Sequence, residues 1–226
     1  MLFRSTLDNI IIVNSTGAST PFIKGMPFIH AGLNAISVAR GVSKGLDKKS
    51  STKVIAFAGD GATAINLASV LNTKEELIYI CVNDFGYNLI DHTLGRTFSR
   101  EVAHNAAYTA TACVAHPEDY IAKLKKAHSM GGFRFIEVLC PSPELWGFDP
   151  SNMIEVGRVA VDTGLWPLYE IENGQVNLTK RPNRLEPVEN FNHVQKKLKI
   201  EAGNIQSVQE RVNKNWKMLT EGKAFL

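Results

Sequence analysis

The chain has 226 residues, room for one large or two small domains, with a hydrophobic share of 44% and a charged share of 21% that are ordinary for a globular protein. A formal net charge of +3 gives little reason to invoke nucleic acid, and no basic stretch interleaves aromatics as a single-strand binder would. No apolar run approaches the length of a membrane span, so neither a nucleic-acid nor a membrane partner is expected.

At the N-terminus, Asp8 and Asn9 interrupt what would otherwise be a signal-peptide core, and the following IIIVN, residues 10–14, reads as a first strand. Ser15-Thr16-Gly17 is its turn, of a size that suits a phosphate. A loop bearing Pro21, Gly25 and Pro27 then runs to His30. HAGLNAISVARGVSKGL places small and apolar residues at helical spacing.

The next stretch, Lys53 to Asp91, organises the rest. Two apolar runs, VIAFA and LIYICV, end in Gly59-Asp60-Gly61 and in Asn83-Asp84-Phe85-Gly86, the signature of buried parallel strands closed by acidic turns. Ligands of open α/β sheets sit beyond the carboxyl ends of the strands, so both turns should open on one crevice. Two carboxylates among small glycines suit a hard divalent cation holding a phosphate. A short helix from about Thr63 to Leu71 lies between the runs; its small first turn, Ala62 and Ala64, allows close approach of an anion.

Tyr87 to Arg100 reads as a polar loop in which His92, Arg96 and Arg100 are either anion ligands or a solvated basic face. EVAHNAAYTATA, residues 101–112, is either helix throughout or helix running into strand. HPEDYIAKLKKAHSM is the clearest helix, with acids in its first turn and Lys123, Lys125, Lys126 and His128 toward its end, the lysines expected on a solvated face. His104, His116 and His128 are expected to be structural. RFIEVLC is a last core strand.

Beyond Pro141, SNMIEVGRVAVDTG predicts a helix capped by Ser151 and stopped by Gly164, and WPLYEIENGQVNLT a hairpin turning at Asn173-Gly174. HVQKKLKI and NIQSVQERVNKNWKML both read as helical, in a basic tail expected to wrap a partner subunit. Trp146 and Trp166 are expected as core and interface anchors. The three cysteines, Cys81, Cys113 and Cys140, lie far apart in apolar surroundings, the pattern of reduced thiols in a cytoplasmic protein. The fold expected is α/β, a mostly parallel sheet with helices on both faces over residues 1–145, followed by a C-terminal extension, 146–226, of helix, hairpin and helix that packs on the core and on partner subunits.

VNSTG, IHAGLNAISVARG, AFAGDG, YICVND, VAHPEDYI, FIEVLCPSP, WGFDPS and TGLWPLYEIENG, in this order from about residue 11 to 198, resemble the β subunit of pyruvate:ferredoxin oxidoreductase and related 2-oxoacid:ferredoxin oxidoreductases. The resemblance implies a thiamine diphosphate enzyme of several subunits that decarboxylates a 2-oxoacid oxidatively. It implies alpha- and gamma-like partner subunits, with ferredoxin and coenzyme A engaged through the complex. It assigns Asp60, Asp84 and the carbonyl of Gly86 to Mg2+, and Thr16, Gly17, His30, Gly59, Gly61, Ala62 and Tyr87 to the cofactor. His30 reads equally well as a capping or core histidine. No catalytic acid or base is assigned on this chain, because the activating glutamate of such enzymes usually comes from another one.

The chain departs from the family pattern at the cluster ligands. The family's four cysteines are a CxxC ahead of the first strand, one after the turn that follows it, and one in Pro-Cys-Pro. Here the sequence begins after the CxxC position, Ala18 holds the third place and Ser142 the fourth, so no iron–sulfur cluster is expected on this chain. Ile65-Asn66-Leu67 and Leu89-Ile90-Asp91 also replace family motifs around the cofactor. Two readings follow: the thiamine diphosphate-binding subunit itself, or a cluster-less paralogue that assembles or regulates such a complex.

Overall fold

The computed structural model describes residues 9–17, 28–47, 51–86, 97–182 and 184–222. Its frame is an eight-stranded sheet in the order β2-β1-β3-β4-β6-β5-β7-β8. The strands are β1 (Ile10–Asn14), β2 (Phe28–His30), β3 (Lys53–Gly59), β4 (Leu77–Asn83), β5 (Tyr108–Cys113), β6 (Phe133–Leu139), β7 (Tyr169–Glu172) and β8 (Gln175–Leu178). Pairing is parallel from β2 through β5, and antiparallel between β5 and β7 and between β7 and β8, so β7 alone runs against the other strands.

The parallel strands are apolar on both sides because helices cover both. One face carries α1 (Ala35–Gly45), α2 (Asp60–Ile65), α3 (Leu67–Leu71) and α4 (Phe98–Val102), whose Ala39, Ala62, Val70 and Val102 pack on Val54, Ala56, Tyr79 and Phe135. The other face carries α5 (Pro117–Ser129), whose Ala127 and Leu124 pack on Ile80, Tyr108 and Ile136. Beyond the carboxyl ends of β5 and β6, α6 (Pro143–Trp146) and α7 (Met153–Asp162) enclose Trp146 and Trp166, both fully buried, and α8 (Ile205–Thr220) adds Val208 and Val212 to the same cluster.

Several expectations need correction. The loop ending at His30 closes in a short edge strand, β2, in register with β1. The helix expected from Thr63 to Leu71 starts at Asp60 and breaks at Asn66, whose side-chain amide donates to the carbonyls of Leu33 and Ala62 and so competes with the helix ladder. Residues 101–112 follow the second of their two expected readings, the end of α4 and, after a turn, the strand β5. Ser151 does not cap α7: it sits in a 3-10 turn capped by Asp149, and Asn152 precedes the helix.

HVQKKLKI is not helical; Leu198 and Ile200 are buried in alternation, and Asn192 and Gln195 accept from their backbone amides. Lys123 is not solvated. It is 2% exposed, and its Nζ donates to Asp119 Oδ2 (2.6 Å), the Thr111 carbonyl (2.7 Å) and Thr179 Oγ1 (2.8 Å). Lys125 stays exposed, as expected. The hairpin turns at Asn173 and Gly174, with φ of 52° and 74°, as a two-residue turn of that composition requires. Cys81 and Cys113 are buried and Cys140 half-buried, all as free thiols.

Candidate functional site

The sheet order reverses between β1 and β3: the chain steps from β1 outward to β2, then crosses back to β3 on the other side. That reversal opens a crevice at the carboxyl ends of the strands, the usual ligand position in such sheets. Four neighbouring strand ends line up there. His30 ends β2, Ser15-Thr16-Gly17 follows β1, Gly59-Asp60-Gly61 ends β3, and Asp84-Phe85-Gly86 follows β4.

Main-chain bonds tie these turns together. The amide of Ser15 donates to the Phe57 carbonyl at 2.9 Å, that of Thr16 to Gly32 at 2.7 Å, and that of Ala31 to Asn14 at 2.9 Å. Thr16 Oγ1 and His30 Nε2 lie 3.5 Å apart, with both side chains facing outward. Gly17 adopts φ 138°, a conformation that side chains disfavour.

Asp60 opens α2 and is 6% exposed; its Oδ1 accepts the Gly61 amide at 2.9 Å. Asp84 Oδ1 accepts the Gly86 amide at 2.8 Å, and a Cβ on Gly86 would stand 2.7 Å from that oxygen, so only glycine leaves the carboxylate room. Between them Phe85 sits at φ 60°, an outlier for a bulky residue. Its amide donates to Asn83 Oδ1 at 2.8 Å, and its ring stacks on Trp146 at 5.5 Å and meets Trp166 edge-on at 5.5 Å. Trp146 Nε1 also donates to the Asp84 carbonyl at 2.6 Å. The turn is therefore anchored in the C-terminal core.

Beneath the turns lies a residue that sequence reasoning passed over. Glu137, fully buried on β6, accepts from Asn83 Nδ2 at 2.8 Å and from both the amide and the hydroxyl of Ser99 at 3.0 Å. Burial pushes its carboxyl up to about 7, against the lowering pull of these hydrogen bonds. Cys81, next to it, is pushed well up, first by burial and then by the charges of Glu137, Asp60 and Asp84. Three carboxylates thus converge on the end of β4. The only sequence signal for Glu137 was a lone acid in an apolar strand.

The structure therefore brings Thr16, Gly17, His30, Gly59, Asp60, Gly61, Ala62, Asp84 and Gly86 to one edge. Tyr87, His92 and Arg96 lie outside the described residues. Arg100 is half-buried and reaches Asn215 Oδ1 at 3.4 Å. Among the described residues no group of three or more His, Cys, Asp or Glu side chains has metal-binding geometry; the donors at hand are two carboxylates and a carbonyl. A separate open cleft of about 560 Å3 between Gly147–Val156 and His193–Lys196 contains none of the strand-end residues.

Residues 25–138 match the thiamine pyrophosphate enzyme family's C-terminal TPP binding domain. The chain is 35% identical over 231 residues to pyruvate synthase subunit PorB of Methanothermobacter marburgensis, covering 84% of this chain and 80% of that one. It is 31% identical over 269 residues to the same subunit of Methanocaldococcus jannaschii, covering 97% and 90%. It is 30% identical over 199 residues to ketoisovalerate oxidoreductase subunit VorB of Pyrococcus furiosus, covering 74% and 64%. Among solved structures, a 2-oxoglutarate:ferredoxin oxidoreductase from Magnetococcus marinus superposes with a TM-score of 0.49 at 17% identity, over 60% of this chain and 55% of that one. With three of the crevice's four strand ends, those of β2, β3 and β4, inside a matched domain that spans half the chain, the protein belongs to the family of thiamine diphosphate-binding β subunits of 2-oxoacid:ferredoxin oxidoreductases.

Proposed function

We propose that this chain grips Mg2+ and the diphosphate of thiamine diphosphate in a cytoplasmic 2-oxoacid:ferredoxin oxidoreductase complex, for oxidative decarboxylation of a pyruvate-like 2-oxoacid. The observation that carries the reading is the convergence of the Asp60 and Asp84 turns at the ends of adjacent parallel strands, β3 and β4, with the Asp84 carboxylate lodged where only a glycine at 86 allows it.

The residues fit the group. Mg2+ takes hard oxygens from one or two carboxylates plus substrate phosphates, and here Asp60, Asp84 and the Gly86 carbonyl would supply the protein's share. Thr16, Gly17, Gly59, Gly61 and Ala62 offer small side chains and backbone amides along the crevice, and His30 flanks Thr16. When bound, the cofactor supplies the carbanion that adds to the 2-oxo carbon and holds the electrons released on decarboxylation. The chain's own part is to fix the diphosphate and exclude alternative poses, with the aminopyrimidine half of the pocket supplied by another subunit.

We also place no iron–sulfur cluster on this chain. The Ser142 hydroxyl is engaged as the cap of α6, accepting the Leu145 amide at 3.3 Å, and two of the three cysteines are buried in separate clusters. Electrons then leave through a partner subunit toward ferredoxin, and coenzyme A enters through the complex. The region 146–226 is proposed to pack on those partners as well as on the core.

The test is to purify the chain with its partners and measure bound thiamine diphosphate and Mg2+ by mass spectrometry and metal analysis, with 2-oxoacid decarboxylation and iron content alongside. Stoichiometric cofactor lost in Asp60→Asn supports the reading. An active complex without cofactor, or activity untouched by Asp60→Asn, overturns it in favour of an assembly role, and stoichiometric iron on this chain overturns the cluster assignment.

A further inference from the structure

Glu137 is expensive where it stands. Burying a carboxylate is unfavourable unless its lone pairs are engaged, and among the described residues the hydrogen-bond partners of Glu137 are Asn83 and Ser99, neither of them a cation. Both are neutral; Asn83 is the last residue of β4, at the crevice, and Ser99 lies on α4.

The hydrogen bonds run in a definite direction. Glu137 Oε1 takes the Asn83 amide hydrogens, which leaves Asn83 Oδ1 pointing at the Phe85 amide, 2.8 Å away. That contact sits inside the turn whose Phe85 is held at φ 60° and whose flanks are Asp84 and Gly86. Without Glu137, the buried Asn83 amide has no fixed orientation, and the Phe85 amide loses a dependable acceptor. Glu137 Oε2 meanwhile takes the amide and hydroxyl of Ser99 on α4, so one carboxylate registers α4 against the end of β4.

From this geometry we infer that Glu137 is a positioning residue for the metal-facing turn, acting through Asn83 to aim the Asp84 carboxylate and the Gly86 carbonyl. The inference rests on the proposed Mg2+–diphosphate site and adds to it a supporting residue that touches neither metal nor cofactor. Groups that orient metal ligands from behind typically change metal affinity 10–100-fold when removed.

The experiment uses the purified complex with thiamine diphosphate, and Mn2+ as a paramagnetic stand-in for Mg2+, titrated by electron paramagnetic resonance. Glu137→Ala and Asn83→Ala should each raise the Mn2+ dissociation constant by on the order of 10-fold, and the double variant should be no worse than either, because both cut one relay. Glu137→Gln keeps an oxygen for Asn83 but turns an amide donor toward the Ser99 N–H, so it should recover part of the affinity lost in Glu137→Ala. Lys123→Met, an equally buried change away from the turn, should lower the melting temperature and leave Mn2+ binding alone.

Losses that add in the double variant, or wild-type affinity in a folded Glu137→Ala or Asn83→Ala protein, overturn the inference. If one alanine variant does not fold, the other together with Glu137→Gln still decides it: weakened binding in Asn83→Ala with recovery in Glu137→Gln supports it, and unchanged binding in Asn83→Ala sinks it. Failure of the underlying reading is recognisable separately, since the wild-type complex would then bind no Mn2+ with the cofactor and Asp60→Asn would change nothing.

Discussion

The indole Nε1 of Trp146 donates to the main-chain carbonyl of Asp84 at 2.6 Å, across 62 residues of sequence, while its ring stacks on Phe85. One side chain from the C-terminal region thereby holds the backbone of a turn that belongs to β4. Trp146→Phe keeps a ring in the stack and removes the donor, leaving a carbonyl without its partner. The expected cost is about 1–2 kcal/mol in urea denaturation, with a weaker Mn2+ affinity in the same protein. Wild-type affinity alongside that stability loss would show that the bond serves packing alone.

The two glycines beside the aspartates should lose ligand affinity for different reasons. In Gly86→Ala the new Cβ meets Asp84 Oδ1 at 2.7 Å, so the carboxylate must swing away and metal affinity should fall sharply. Around Gly61 there is open space within 4 Å and the residue lies in α2, so Gly61→Ala should hold or raise stability by about 0.5–1 kcal/mol. Its methyl would face the crevice, so thiamine diphosphate affinity should drop although the fold is firmer. Calorimetric binding and thermal melts on the same samples separate the two effects.

Lys123 and Lys125 lie two positions apart on α5 and should differ widely. Lys123→Met strips the Thr111 carbonyl, Asp119 and Thr179 of their common donor and should cost about 3 kcal/mol in chemical denaturation. Lys125→Ala should stay within about 0.5 kcal/mol of the parent.

Acid stability should report the Glu75 contact between α1 and the loop before β4. Burial raises the Glu75 carboxyl, but Arg40 at 2.9 Å and Lys44 at 3.0 Å outweigh it and hold it at about 2, below the ordinary 4.5. A carboxyl depressed in the fold stabilises it above the unfolded value and loses that contribution as pH falls from about 4.5 to about 2. With Lys44 mostly exposed and solvent screening the pair, the contribution is about 1 kcal/mol. Melting temperatures of the parent and Glu75→Gln should be separated at neutral pH and converge below pH 3; a constant gap would contradict this.

The acidic turns were legible because each ends an unbroken apolar run, and strand ends in a parallel sheet share one edge. Their surroundings were less so. Glu137 draws its meaning from Asn83 and Ser99, 54 and 38 residues away, and no local pattern encodes such a meeting. Lys123 was readable in principle: it falls between Tyr120, Leu124 and Ala127 on the buried stripe of α5, a periodicity that its charge masks. HVQKKLKI misled in the opposite sense, because its lysines suit a helix while Leu198 and Ile200 alternate into the core as an extended segment does.

Phe85 carries a consequence for how the protein is made. Its left-handed backbone is compensated by two tryptophans that follow it by many tens of residues, Trp146 and Trp166. During synthesis both aspartates are present as soon as β4 has emerged, yet the conformation that aims the second one waits for residues translated much later. On the proposed Mg2+–diphosphate site, ligand grip is thus coupled to synthesis of the chain through Trp166: a truncated product that stops short of Trp146 would carry both aspartates without the turn geometry that aims Asp84.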